Sequence, residues 1–108
     1  MNDLEKSKKI KNQVYEILKE VIDPELGLNI IDLGLVYNIA FQPENTINIL
    51  LTLTSPGCPM GEAIMDDIKY SIKKPFPDYE VVIELTFEPA WSTEKVSEEG
   101  RVFLSLES

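Results

Sequence analysis

Cys58 is the only cysteine of the chain, and it lies in the stretch Leu53–Pro59, which reads LTSPGCP. Apolar alternation stops at Thr54, which predicts the end of a strand. Pro59 suits the first turn of a helix, where its missing N–H has no partner to lose. Cys58 is therefore predicted at or next to a helix N-cap, where the dipole favours thiolate over thiol, with Gly57 allowing a sharp turn before it. Such a thiolate acts as a nucleophile or a metal ligand, whereas the plainer alternative is a buried cysteine that packs as a small apolar residue.

Acidic residues are concentrated in the segment that precedes the first predicted strand. Asp23 and Glu25 flank Pro24, and two interpretations are open. The pair forms and caps a turn, or it places two carboxylates near the Cys58 thiol, where they shape a pocket or supply a hard ligand. Asp32 follows in the same segment, and for this residue a turn-forming role is the stronger interpretation.

Two threonines complete the set of residues that chemistry at Cys58 would use. Thr52 and Thr54 are separated by one residue, so they are predicted to share a face of the second strand and to point toward Cys58. They are either ordinary β-branched strand residues or hydroxyls that orient the thiol or its ligand. Trp91, the only tryptophan, is predicted in the core or on a lid. The candidate functional pocket consists of Asp23, Glu25, Thr52, Thr54 and Cys58.

Length and composition limit the classes of function. The chain has 108 residues, which predicts a single domain over 1–108. Its net charge of −9 argues against a nucleic-acid partner, which needs a basic face. Histidine is absent, which excludes a Cys–His hydrolase within one chain and a His-ligated zinc site. A single cysteine fits a reducing compartment, and no apolar run approaches membrane-spanning length, so a cytoplasmic location without a membrane partner is expected.

Hydrophobic periodicity predicts three helices and three strands. In chain order, these are a helix over 4–21, strands over 35–41 and 47–53, a helix that follows Cys58 and ends at Pro75, a strand over 81–87 and a short helix capped by Ser97. The order α-β-β-α-β-α predicts an α+β fold, a two-layer sandwich in which a small mixed sheet carries the helices on one face. Residues 23–34 are predicted to form a long loop whose many apolar residues pack over the core or against a partner.

Four blocks of sequence carry a resemblance to a known family. They read VIDPELG at 21–27, LGLVY at 33–37, LTSPGCP at 53–59 and PAWS at 89–92. Together they resemble the SufT/PaaD-like family of small iron–sulfur assembly proteins, in matching order over residues 10–104. In the last block, Ala90 stands where the family often has proline. The resemblance implies an iron–sulfur assembly domain fold with Cys58 as its key residue and Asp23, Glu25, Thr52 and Thr54 around it.

The resemblance also implies a role in maturation of iron–sulfur proteins. The leading hypothesis is a cytoplasmic, non-enzymatic factor that works with iron–sulfur carrier and client proteins, and in which Cys58 transiently binds iron or an iron–sulfur cluster. A cluster takes about four ligands, mostly thiolates, so one cysteine requires a homodimer, a partner or small thiols to complete the site. The apolar stretch from Leu26 to Leu35 is the predicted dimer interface. Two alternatives stay open: an enzyme that uses Cys58 for sulfur or acyl transfer, and a pure adaptor that docks through the same stretch.

Overall fold

The computed structural model describes residues 3–55, 57 and 60–105. In chain order, the elements are α1 (Asp3–Leu18), β1 (Val36–Gln42), β2 (Thr46–Leu51), α2 (Gly61–Lys73), β3 (Glu80–Leu85) and α3 (Glu98–Leu104), with a short 3-10 helix (Thr93–Lys95) before α3. The predicted α+β class and the order α-β-β-α-β-α are therefore confirmed.

β2 lies in the middle of a three-stranded sheet. It pairs antiparallel with β1 through a hairpin and parallel with β3, which follows the α2 crossover. At the centre of the sheet, Ile49 is paired with Ile39 on one side and with Ile83 on the other. Ile47, Ile49 and Leu51 are buried and alternate with half-buried residues. The alternation shows that one face of β2 belongs to the core, as the period of two predicts.

α1 and α2 form the second layer of the sandwich. α1 contacts β1, α2 contacts β3, and the two helices contact each other. Each helix turns a stripe of buried apolar residues toward the core, at the three- and four-residue spacing of one helix face. These residues are Ile10, Val14 and Leu18 of α1 and Ile64, Ile68 and Ile72 of α2. Among the described helices, none is both long enough and apolar enough to cross a membrane.

The predicted end of α1 is wrong by three residues. α1 ends at Leu18 instead of at residue 21. The N–H groups of Glu20 and Val21 donate to carbonyls only three residues back, those of Ile17 and Leu18. This tighter turn is the usual way in which an α-helix stops, and it frees Val21 to pair with a later segment.

The second and third strands are also shorter than predicted. β2 ends at Leu51 instead of at residue 53, and the Thr52 N–H just beyond it donates to the carbonyl of Leu35. β3 ends at residue 85 instead of 87, because the Thr86 side chain forms a local turn. The Thr86 hydroxyl donates to the carbonyl of Glu88 and accepts from its N–H, both at 3.2 Å.

The apolar stretch 26–35 belongs to the protein's own core. Leu28, Ile30, Leu33 and Leu35 are at most 7% exposed, and only Leu26 remains substantially in solvent. The prediction that its apolar residues pack over the core is therefore confirmed, whereas its roles as a dimer interface or an adaptor surface stay predictions. Burial of apolar side chains is favourable whether the same chain or a partner covers them. In this fold, the protein's own core covers them.

Candidate functional site

A connected series of backbone hydrogen bonds joins the segment after α1 to the end of β2. The Ile30 N–H donates to the Val21 carbonyl (2.9 Å), and the Leu35 N–H donates to the Ile30 carbonyl (3.0 Å). The Thr52 N–H continues the series with a 2.8 Å bond to the Leu35 carbonyl. The loop before β1 and the first residue after β2 therefore form one layer. This layer lies at the end of the sheet where the chain enters the loop over residues 53–60, here called the 53–60 loop.

Asp23 organises the turn that follows it. The residue is 2% exposed, and its Oδ1 accepts hydrogen bonds from the N–H groups of Glu25 (2.8 Å) and Leu26 (3.2 Å). Its own N–H donates to the Leu28 carbonyl (2.9 Å), and its carbonyl accepts from the Gly27 N–H (2.8 Å). Asp23 thus has the turn-forming role that one of the two sequence interpretations assigns. The Glu25 side chain is exposed, and the relation of this acid pair to the thiol stays a prediction.

Thr52 and Thr54 both lie beyond the end of β2, so the prediction of a shared strand face is wrong. Thr52 is fully buried, and its hydroxyl donates a long bond of 3.5 Å to the adjacent Leu53 carbonyl. Thr54 is half-buried. Among the described residues, no hydrogen bond joins either threonine to Asp23 or Glu25. Their function as orienting hydroxyls stays a prediction.

The 53–60 loop is held where it begins and where it ends. Leu53 is buried, and its side chain packs so tightly on Gly61 that a β-carbon there would lie 2.8 Å from Leu53 Cδ1. A larger residue at position 61 would therefore displace the Leu53 side chain. Cys58 lies outside the described residues, as do positions 56 and 59.

α2 begins later than the sequence predicts. Its N-cap is Met60 and its first residue is Gly61, so Cys58 precedes the cap by two positions, and the predicted N-cap placement is wrong. The acidic Glu62 lies in the first turn of α2, where its charge complements the helix dipole. A β-carbon at Gly57 would meet no atom of the described residues within 4 Å, so no close contact with them requires glycine there.

No group of three or more His, Cys, Asp or Glu side chains able to hold a metal ion occurs within residues 3–55, 57 and 60–105.

Asp32, the third acid of the loop, forms structural hydrogen bonds. Its Oδ1 accepts from the Ser97 hydroxyl (2.9 Å) and its Oδ2 from the Asn29 amide (2.7 Å). The Ser97 hydroxyl in turn accepts from the Gly100 N–H (3.0 Å), which confirms Ser97 as the cap of α3. Asp32 therefore fastens α3 to the loop.

Two aromatic side chains tie the chain after β3 to the segment around the start of β1, which the sequence did not predict. The Trp91 Nε1–H donates to the Leu33 carbonyl (2.6 Å), and the Tyr37 hydroxyl donates to the Pro89 carbonyl (2.7 Å). The Lys95 ammonium lies 5.2 Å from the centre of the Tyr37 ring. The polar atom of a tryptophan or tyrosine side chain needs a hydrogen-bond partner when the side chain is partly buried. The presence of these two residue types was therefore the only sequence signal for the hydrogen bonds. The partners are 58 and 52 residues away, so no local pattern identifies them.

Replacing Trp91 with phenylalanine is expected to lower the free energy of unfolding by about 1–2 kcal/mol, because the carbonyl of buried Leu33 loses its donor. Urea denaturation followed by far-ultraviolet circular dichroism measures the change, since the variant has no tryptophan fluorescence. Tyr70, which is 62% exposed, provides the matched control Tyr70→Phe, expected to change stability by less than about 0.5 kcal/mol. Equal stabilities of the two variants would contradict the structural role of the tie.

Comparison with known proteins gives consistent matches. A family model described as iron–sulfur cluster assembly protein matches residues 11–84. A Porphyromonas gingivalis protein named Fe-S protein maturation auxiliary factor is 34% identical, over 89% of this chain and 91% of its own length. The Staphylococcus aureus Fe-S protein maturation auxiliary factor SufT is 35% identical, over 80% of this chain and 98% of its own.

A solved structure gives the same result for the fold. The crystal structure of a domain of unknown function, DUF59, from Bacillus anthracis superimposes with a TM-score of 0.90 at 34% identity. The superposition covers 97% of this chain and 100% of the other. The fold is thus shared over nearly the whole length of both chains.

Proposed function

Because this chain belongs to the family of iron–sulfur cluster assembly proteins, we propose that it passes iron or an iron–sulfur cluster to client proteins through the thiolate of Cys58. Its role lies in the assembly or maturation of iron–sulfur proteins. The cluster is transient cargo, received from a carrier protein and delivered to a client. The transfer takes place in the cytoplasm, where a lone cysteine stays reduced.

The observation that carries the proposal is the hydrogen-bonded series from Val21 to Thr52. It holds the Asp23 turn and the entrance of the 53–60 loop in one layer, and the packing of Leu53 on Gly61 closes the loop at its other end. A loop with both ends held has fewer accessible conformations than a free chain of the same length. This arrangement supports directed transfer through a residue of the loop.

Ligand counting supports cargo shared between molecules. A cluster takes about four ligands, mostly thiolates, whereas this chain has one cysteine and no histidine. The remaining thiolates come from the carrier, the client, a small thiol or a second copy of the chain. Of the two neighbouring acids, Glu25 is better suited to contact iron, because its side chain is exposed whereas Asp23 Oδ1 already accepts two N–H donors.

We expect the isolated chain to hold a stoichiometric cluster only as a dimer or with an added thiol. Anaerobic reconstitution with ferrous iron and sulfide, with and without glutathione, tests this. Visible absorption measures the bound cluster, and light scattering measures the mass of the species that carries it. Cys58→Ser is the control and should bind no cluster under either condition. A monomer that holds a stoichiometric cluster without added thiol would refute the shared-ligand proposal.

A non-enzymatic role is part of the proposal, supported by the absence of a histidine to serve as base for the thiol. The alternative is a sulfur- or acyl-transfer enzyme that forms a covalent adduct on Cys58. Mass spectrometry after incubation with persulfide or thioester donors distinguishes the two. An adduct that forms and turns over many times per chain would favour the enzyme, whereas cluster transfer without such an adduct supports the proposal.

A further inference from the structure

α3 presents two large apolar side chains to solvent. Val102 is 64% exposed and Phe103 is 61% exposed. The opposite side of the helix is fixed by Gly100, where a β-carbon would lie 2.8 Å from Val96 Cγ1 and 2.9 Å from Leu28 Cδ2. Because this close packing sets the orientation of α3, the outward direction of the two apolar side chains is a consequence of the fold.

The exposed face of α3 continues onto the Asp23 turn. A β-carbon at Gly27 would lie 3.9 Å from Phe103 Cε2, so the Phe103 ring lies close to Gly27. The neighbouring Leu26 is 38% exposed. We call Leu26, Gly27, Val102 and Phe103 the α3 patch. It adjoins the turn that the hydrogen-bonded layer connects to the entrance of the 53–60 loop.

Acidic residues border the α3 patch. Glu98 and Glu99 precede the two apolar residues of α3 by four positions, so they lie on the same side of the helix, and both are exposed. Glu25, also exposed, precedes Leu26 in the turn. Arg101, the basic residue of α3, donates to backbone carbonyls of the preceding segment at 2.9 and 3.2 Å. Its charge is thereby drawn toward that segment, so the rim of the patch is acidic.

We propose that the α3 patch docks the protein partner of the transfer through an apolar side chain that is flanked by lysine or arginine. The proposal rests on the proposed function, of which it names the docking surface. Exposed apolar side chains grouped within a polar rim are typical of interaction sites. The acidic rim selects a basic partner, and a patch of this small size suits a transient complex. A second copy is a poor occupant, because it would bring two chains of net charge −9 together at their acidic rims.

Photo-crosslinking identifies the occupant. Benzoylphenylalanine replaces Phe103 in cells, and mass spectrometry identifies the crosslinked protein, which is then purified in its cluster-free form. We expect an iron–sulfur carrier or client that is crosslinked at an apolar position next to basic residues. A crosslink only to a second copy of this chain, or none at all, would overturn the proposal.

Binding measurements with the purified partner provide the quantitative test. We expect the double substitution of Val102→Ser and Phe103→Ser to raise Kd at least tenfold without lowering Tm, since both side chains are exposed. Glu98→Gln with Glu99→Gln should raise Kd less and reduce its dependence on salt. Tyr70→Ser removes an equally exposed aromatic side chain elsewhere and is the matched control, expected to leave Kd unchanged. An unchanged Kd in the apolar double variant would refute the docking role.

Cys58→Ser separates this proposal from the proposed function. It should bind the partner with unchanged Kd and fail to activate the client. If it activates clients normally while the apolar double variant loses binding, the docking surface stands and transfer through Cys58 is wrong. If the double variant binds normally while Cys58→Ser is inactive, the thiol proposal stands and the docking surface is wrong.

Discussion

Replacing Cys58 with serine is expected to abolish the ability of this protein to restore iron–sulfur enzyme activity in cells that lack it. Serine has nearly the same size, but its hydroxyl is neutral at physiological pH and is a poor ligand for a soft cluster. The free energy of unfolding should change by less than about 1 kcal/mol, because a loop thiol contributes little packing. The activity of an endogenous iron–sulfur enzyme and urea denaturation of the purified variant measure the two effects.

Ser55→Ala is the matched control for this experiment, since Ser55 is exposed in the same loop. The control should restore activity fully and leave stability unchanged. Full restoration by Cys58→Ser would show that the cargo does not pass through the thiol. A stability loss of several kcal/mol would instead identify Cys58 as a packing residue, the plainer of the sequence interpretations.

Gly34→Ala is expected to lower the free energy of unfolding by about 3 kcal/mol, the largest stability effect predicted for a single methyl group. Gly34 has φ +78, a left-handed conformation that alanine adopts only with strain. A β-carbon at this position would also overlap the backbone carbonyl oxygen of Lys95. That carbonyl cannot retreat freely, because the Trp91 and Tyr37 hydrogen bonds hold the two segments together.

Gly57→Ala is the control for the same substitution in another loop. A β-carbon at Gly57 would meet no atom of the described residues within 4 Å, so the free energy of unfolding of this variant should change by less than about 0.5 kcal/mol. Urea denaturation of both variants gives the comparison. If Gly34→Ala is no less stable than Gly57→Ala, the close approach between positions 34 and 95 is not a constraint on the fold.

Local periodicity determined which elements form and in what order. Apolar residues in α1 and α2 recur every three or four positions, which buries one face of a helix, whereas those in β2 alternate, which buries one face of a strand. A strand could not bury the helical pattern on one face, and a helix could not bury the alternating pattern on one face. The Asp23 turn is also a local matter, because the Asp23 carboxylate bonds to N–H groups two and three residues away. The same holds for Ser97, which caps α3 through the N–H of Gly100.

Contacts between distant residues decided the rest. The pattern of 26–35 shows that its apolar side chains are buried, but only the fold shows that the chain's own core covers them. The Thr52 N–H beyond β2 donates to the distant Leu35 carbonyl, and α3 is held by the bond between Asp32 and Ser97, 65 residues apart. The exposure of Phe103 follows from the packing of Gly100 on the far side of its helix.

Sequence alone thus determined the elements and singled out Cys58, because propensity and capping act over a few residues. Tertiary structure decided where the elements end and which apolar side chains stay exposed, because burial depends on neighbours that are distant in the chain.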